Sequence, residues 1–258
     1  MHGSLVRSAD LPRAIGRCGP VGAVKLWTAR RKLRRLLPRL ARLHIRGLKY
    51  PLWFRRVSTD RYVIGEVLLR DQYACLAGHP DVHTILDVGA NIGTASLYLL
   101  NRYPKARLVA LEPDPGSFEL LEKNLRPYGG RATAVRMALW SRAETLYVDR
   151  GHFRDGGEWS FQVTGTPLQS APQVDGVPLL TVLDNFGIDL VDILKMDVEG
   201  AERLLFRDGL GGALDRIGVL AVELHDEECR QAFLGMIAGR LGELSHYGEV
   251  TIWNQRSD

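Results

Sequence analysis

The chain is organised around residues 84–96, TILDVGANIGTAS. Ile85, Leu86 and Val88 form a short apolar run that predicts a buried strand. The run passes into a turn bracketed by Gly89 and Gly93, and a helix opens after it. Glycine reaches positive φ without steric cost and lets backbone or ligand come close. A helix that starts just after such a turn presents unpaired N–H groups to a polar ligand. The spacing D-x-G-x-N-x-G lacks the third glycine of the dinucleotide fingerprint and the lysine of the Walker loop. Asp87 stands at the carboxyl end of the strand, where open α/β sheets bind their ligands. A carboxylate there suits a cationic or hydroxyl-rich ligand better than a pyrophosphate. The competing reading is an ordinary βα turn with a helix-facing glycine.

From this stretch onward strand and helix patterns alternate. ILDVG leads to a helix at 94–102, RLVALEP to a strand at 107–112, and SFELLEKNLRPY to a second helix. RATAVRMALW predicts a third strand near 131–139, and TLYVD a short extra one. VDILKMD (191–197) and RIGVLAVELHD (216–226) are further strands, with GAERLLFRDG as a helix between them. A helix over 227–241 and a strand at 249–253 close the pattern. Alternation of this kind predicts an α/β fold with a doubly wound parallel sheet. A chain of 258 residues has room for one such domain with a sizeable core. Residues 150–178 show no clear period and are expected to form a functional loop or a mobile segment. Residues 52–70 suggest one or two short strands or a lid-like segment.

In a doubly wound sheet the site lies along the carboxyl ends of the strands. Read in order, those ends carry Asp87, Glu112, Ala138, Asp197 and His225. Glu112 comes 19 residues after Gly93, and an acid at that distance commonly accepts hydrogen bonds from ribose hydroxyls. Met137 and Ala138 end the third strand with apolar groups able to flank an adenine, or simply to pack in the core. In KMDVEGAE, Asp197 and Glu199 precede Gly200, which lets a ligand approach. One strand further on, VELHD supplies Glu223 and His225. A carboxylate and an imidazole on neighbouring strand ends serve as a general base with an orienting partner. Asp, Glu and His also suit Mg2+ or Mn2+. The spacing of Glu223 and His225 serves either use. The reading leans to a metal-free histidine base that titrates near the free value of about 6.5, and assigns no metal ligand.

Charge divides the chain. Residues 1–56 hold fifteen Lys and Arg against the single Asp10, a net +14, while the remaining 202 residues carry −10, for the overall +4. Residues 1–20 lack periodicity and are expected to be loose. Residues 22–46 predict a basic amphipathic helix, bent at Pro38. Leu26, Leu33, Leu36, Leu37, Leu40 and Leu43 line one side, and Arg30, Arg31, Arg34, Arg35, Arg39 and Arg42 fill much of the rest. Such a helix docks on the domain, lies on an anionic membrane, or, ranked lowest, binds nucleic acid. No run of about 18 apolar residues predicts a membrane span, and the start shows no leader pattern. Cys18, Cys75 and Cys229 are too scattered for a disulfide framework or a zinc ribbon. The expectation is a cytoplasmic protein, with peripheral membrane contact through residues 22–46 as its extension.

With these residues in hand, the chain resembles the FkbM-type family of S-adenosylmethionine-dependent methyltransferases. The matching segments are ILDVGANIGTAS, LVALEPDP, the ALW after the third strand, LTVLDNFGID, and ILKMDVEGAE with VELHD downstream, across roughly residues 60–250. The resemblance implies a class I, Rossmann-like methyltransferase fold with a seven-stranded sheet. It implies O-methylation of hydroxyl groups on sugars, glycolipids, polyketides and related small molecules. By the same resemblance Asp87, Gly89, Asn91 and Gly93 form the cofactor loop, Glu112 holds the ribose, and Asp197 sits beside the reacting methyl. The division that follows is a basic arm at 1–50, lead-in strands or a lid at 51–83, and the cofactor-binding domain at 84–258. A nicotinamide-dependent oxidoreductase and a nucleic-acid methyltransferase using the basic arm are the competing functions.

Overall fold

The structure is a computed structural model that describes residues 10–27, 38–56, 58–150 and 161–255. Helix α1 (Leu11–Trp27) leads and kinks where Gly19, at φ 69°, precedes Pro20. Strands β1 (Leu40–Leu43) and β2 (Leu52–Arg55) pair antiparallel. Helix α2 (Asp60–Ile64) continues into a π turn at Gly65–Leu69. The chain then enters the main sheet at β3 (Thr84–Val88). It crosses by α3 (Thr94–Arg102) to β4 (Arg107–Leu111) and by α4 (Pro115–Leu125) to β5 (Ala132–Val135). Four short strands follow: β6 (Ala138–Leu139), β7 (Glu144–Asp149), β8 (Gln162–Thr164) and β9 (Gln173–Val177). Helix α5 (Leu179–Asn185) leads to β10 (Val191–Met196), and the single turn α6 (Glu202–Leu204) leads to β11 (Ile217–Glu223). Helix α7 (Glu227–Ile237) and strands β12 (Glu243–Tyr247) and β13 (Val250–Asn254) complete the chain.

Among the described residues the main sheet has seven strands in the order β12-β13-β11-β10-β3-β4-β5. Strands β3, β4, β5, β10 and β11 run parallel; β13 is antiparallel to both of its neighbours. The central strands are apolar because helices cover both faces. All six residues of β10 are buried. Side chains alternate between the faces with the strand period of two. Ile85 joins the layer with α1 and α3, while Leu86 and Val88 join the layer with α5 and α7. The chain leaves β3 toward β4 and returns on the other side at β10. The carboxyl ends of β3 and β10 therefore flank the crevice where the winding reverses, the place such sheets bind ligands.

Several local expectations change. Residues 11–20, expected to be loose, are helical and run on into the expected helix as far as Trp27, and Leu40–Leu43 is a strand rather than the end of a helix. LARL fits a period of two as well as a helical one, and pairing with β2 decides it. Leu26 and Leu43 are each 1% exposed, so the described parts of the basic segment are packed into the core. Residues 28–37, with Arg30, Arg31, Arg34 and Arg35 of the expected basic helix, lie outside the described residues.

The third strand splits in two, because Val135 turns its carbonyl to the N–H groups of Glu112 and Met137. Its second half, β6, belongs to a separate four-stranded sheet of order β6-β9-β7-β8. Two strands of that sheet come from the 150–178 stretch, whose described part is thus ordered structure rather than a loop. Gly176 permits the packing there, since a Cβ would meet Leu146 Cδ1 at 2.7 Å. The edge strand β12 also went unread, because all of its residues are exposed and carry no buried pattern. Among the described residues no helix is long and apolar enough to cross a membrane.

Candidate active site

The turn after β3 is pinned from three sides. The N–H groups of Gly89 and Ala90 both donate to the Leu111 carbonyl at the end of β4, each at 3.0 Å. Gly89 sits at φ 72°, and a Cβ there would collide with the backbone carbonyl of Asp197. This close approach clamps the end of β3 to the end of β10, where Asp197 N donates to Val88 O at 3.1 Å. Gly93, at φ 87°, caps α3 against Leu121. Asn91 adopts φ 51° without being glycine, which turns its N–H toward Glu112. Asn124 ties the turn to the N-terminal hairpin by donating to Ile92 O and accepting from Trp53 N.

Beneath the turn lies a buried ion pair. Asp87 is fully buried; one oxygen accepts from Ser96 Oγ at 2.5 Å and the other lies 3.1 Å from Lys195 Nζ. Lys195, 3% exposed, also donates to Gly89 O at 2.9 Å. Burial alone disfavours its ammonium, but Asp87, Asp197 and Glu223 outweigh that cost and raise its pKa. Asp87, expected in the cofactor loop, here braces the turn from below through Ser96 and Lys195. Lys195 was overlooked in the sequence. The signal for it was the single cation in VDILKMD, a strand run whose other polar residues are Asp192 and Asp197.

Glu112 ends β4 and is 7% exposed. Its two oxygens accept from Asn91 N at 2.7 Å and from Asp114 N at 2.8 Å, which fixes the carboxylate at the rim of the crevice. Burial raises its pKa to about 7, against the opposing effect of those two bonds. Met137 N and Glu112 N share the Val135 carbonyl, so Met137 is held beside Glu112. Ala138 is buried at 4% and lies in β6 of the second sheet.

On the other side of the crevice the carboxyl ends of β10 and β11 gather an acidic cluster around one imidazole. His225, with a side chain 6% exposed, places Nδ1 2.8 Å from Oε1 of the wholly buried Glu202. Its Nε2 faces Asp197 Oδ1 and Glu199 Oε2, each at 3.5 Å. Glu202 in turn accepts from Val198 N and Gly200 N, so it holds the D-V-E-G turn as well as the ring. Its role was missed because it follows the motif as one more acid of a helix start. Gln162, from the supposed loop, donates to the Glu199 carbonyl. Gln72 donates to Glu223 at 2.5 Å. Burial and then the charge of Asp197 raise Glu223 well above the ordinary carboxylate value.

Burial works against a charged His225. The hydrogen bond to Glu202 and the charges of Asp197, Glu202 and Glu199 outweigh it and push the ring up to about 10. The shift favours the protonated ring at neutral pH. A histidine base of the expected kind, near 6.5, would have to titrate well below this value. Asp197, with a side chain 27% exposed, is the more accessible carboxylate beside it.

A family model described as the methyltransferase FkbM domain matches residues 87–248. Methyltransferase sdnD of Sordaria araneosa is 44% identical over 158 residues, which cover 49% of this chain and 60% of that protein. The hexuronic acid methyltransferase AglP of Haloferax volcanii is 27% identical over 147 residues, 54% of each. A solved structure of a precorrin-6y C5,15-methyltransferase from Geobacter metallireducens aligns with a TM-score of 0.43 at 15% identity. That alignment covers 72% of this chain and 86% of the other. The chain spans between 11% and 69% of the length of the curated relatives it matches.

The ion pair beneath the turn yields a prediction. Lys195→Met leaves the Asp87 carboxylate buried without its cation, and breaking a buried pair in this way costs about 3–5 kcal/mol. Urea unfolding should show that loss for the single variant and a clear recovery in Lys195→Met/Asp87→Asn. A loss under 1 kcal/mol (about one weak surface pair) for Lys195→Met would contradict the bracing role.

Proposed function

The chain belongs to the FkbM methyltransferase family, and from that premise we propose that it is an S-adenosylmethionine-dependent O-methyltransferase. Its acceptor in this reading is a hydroxyl group on a sugar, a glycan or a related small natural product. The observation that carries the reading is Glu112. It is a carboxylate held by two backbone N–H groups at the mouth of the crevice, next to the turn whose Gly89 packs against the backbone of Asp197. Such a carboxylate suits the paired hydroxyls of a ribose. Met137, beside it, offers the apolar contact an adenine needs. When bound, S-adenosylmethionine supplies a methyl group that is already electrophilic on its sulfonium.

The work left to the chain is alignment and proton removal. The turn clamped by Gly89, and the β10 end clamped to it, fix the two walls between which an acceptor must fit. A neutral alcohol is a poor nucleophile and must shed its proton as its oxygen is alkylated. Asp197 is the exposed carboxylate at that wall and takes the proton in this reading. Glu199 and Glu202 hold His225 beside Asp197, with Nε2 3.5 Å from Asp197 Oδ1. Sugar acceptors are favoured because a relative named for hexuronic acid methylation matches 54% of the chain.

Two measurements test this. Binding of S-adenosylhomocysteine should strengthen as Glu112 ionises, because ribose hydroxyls donate to its charged form. With a value of about 7 in the free protein, affinity rises about tenfold between pH 6 and 8. In Glu112→Gln calorimetry should show weaker binding, by about 1–3 kcal/mol, and a flat profile. A wild-type profile that falls with pH would contradict the assignment. Incubation with methyl-labelled S-adenosylmethionine and a panel of uronic acids and neutral sugars should place the label on oxygen as an ether. Label found only on nitrogen, or only on added RNA, would overturn the acceptor class.

A further inference from the structure

We propose that Asp197, Glu223 and His225 form a site for a divalent cation of the Mn2+ or Mg2+ class. For its catalytic consequence the site rests on the methyl-transfer reading; for its existence it does not. Each residue offers one ligand atom, and the three atoms lie within 4.8 Å of one another. Ligand bonds of about 2.0–2.6 Å allow donors up to twice that distance apart to share one ion. The set of two carboxylates and one imidazole suits Mn2+ best and Mg2+ next.

The outer contacts are those of ligands held for use. The His225 side chain is 6% exposed and its Nδ1 is committed to Glu202, so Nε2 is the atom turned toward the carboxylates. Glu223 is oriented by Gln72. Bonds of this kind fix ligand direction around a metal. Oδ1 of Asp197 is buried and accepts no hydrogen bond, although Nε2 lies 3.5 Å away. A direct charge-assisted bond would close to about 2.7–2.9 Å. Adjacent ligands on an octahedral ion stand about 3 Å apart, so Asp197 Oδ1 and His225 Nε2, at 3.5 Å, need only a small closure to share one ion. A cation here takes the place of the proton on Nε2 and offsets the clustered negative charge. It also lowers the pKa of an acceptor hydroxyl that binds it, so the proton leaves more readily to Asp197 or solvent. The competing account is an imidazolium held among carboxylates with no ion.

The test is a titration of chelator-treated full-length protein with MnCl2, following free Mn2+ by electron paramagnetic resonance, with cofactor and acceptor absent. The expected result is one Mn2+ per chain. Asp197→Asn and Glu223→Gln should each weaken it at least tenfold, and Glu202→Gln, acting through His225, by about 10–100-fold. Thermal transitions establish that each variant is folded; if Glu223→Gln is not, Asp197→Asn, on the accessible rim, decides. Wild-type protein without saturable Mn2+ binding, or a folded Asp197→Asn with unchanged affinity, overturns the site. Calorimetry with S-adenosylhomocysteine on the same preparation separates the two readings. Cofactor binding without Mn2+ binding overturns the cation site alone, and Mn2+ binding without cofactor binding upholds it against the methyl-transfer reading.

Discussion

Everything at the crevice depends on the contact between Gly89 and the backbone of Asp197. Only a residue without Cβ lets the end of β3 lie directly against the end of β10. That contact joins two features that are 108 residues apart in sequence, the glycine turn and the D-V-E-G turn. It makes them two lips of one crevice rather than two separate strand ends. The left-handed backbone at Gly89, Asn91, Glu199 and Gly200 follows from the same demand. Each side of the crevice must reverse sharply so that N–H groups point to Glu112 on one lip and to Glu202 on the other. Strained backbone of this kind concentrates at functional sites.

The second organising principle is charge. Asp87, Asp197, Glu199, Glu202 and Glu223 crowd the carboxyl ends of three neighbouring strands, with Lys195 and His225 as the cations among them. Lys195 answers Asp87 below the turn, and His225 answers the cluster above it. The two cations thus separate a layer beneath the turn from the carboxylate cluster at the crevice. The high value of His225 reflects the surrounding carboxylates, while Glu223 is raised first by burial and then by the charge of Asp197. A site with this surplus of carboxylate suits proton removal from a hydroxyl, and it suits a cation. It does not suit a pyrophosphate, in keeping with the absent dinucleotide fingerprint.

The sheet was legible because its central strands are apolar on both faces, so ILDV, RLVAL, VDILKM and IGVLAVE announce themselves without reference to their neighbours. Glu112 was legible for the same reason, as the first polar residue past such a run. What stayed hidden depends on partners distant in sequence. The partner of Asp87 is Lys195, on the adjacent strand β10 and 108 residues away in sequence. His225 looked like a free histidine because Glu202 sits 23 residues earlier, in what reads as a helix start. The second sheet was unreadable from 150–178 because its strands are short and half-exposed, and Gly176 shows its purpose only against Leu146. Strand β1 was mistaken for helix because four residues of LARL satisfy both periods.

The measurement that bears most directly on the account is a crystal structure of the protein with S-adenosylhomocysteine. The account predicts both ribose hydroxyls within about 3 Å of the Glu112 carboxylate and the sulfur directed along the crevice toward Asp197. A ligand bound with its ribose away from Glu112, or with its sulfur facing away from the β10 end, would contradict it.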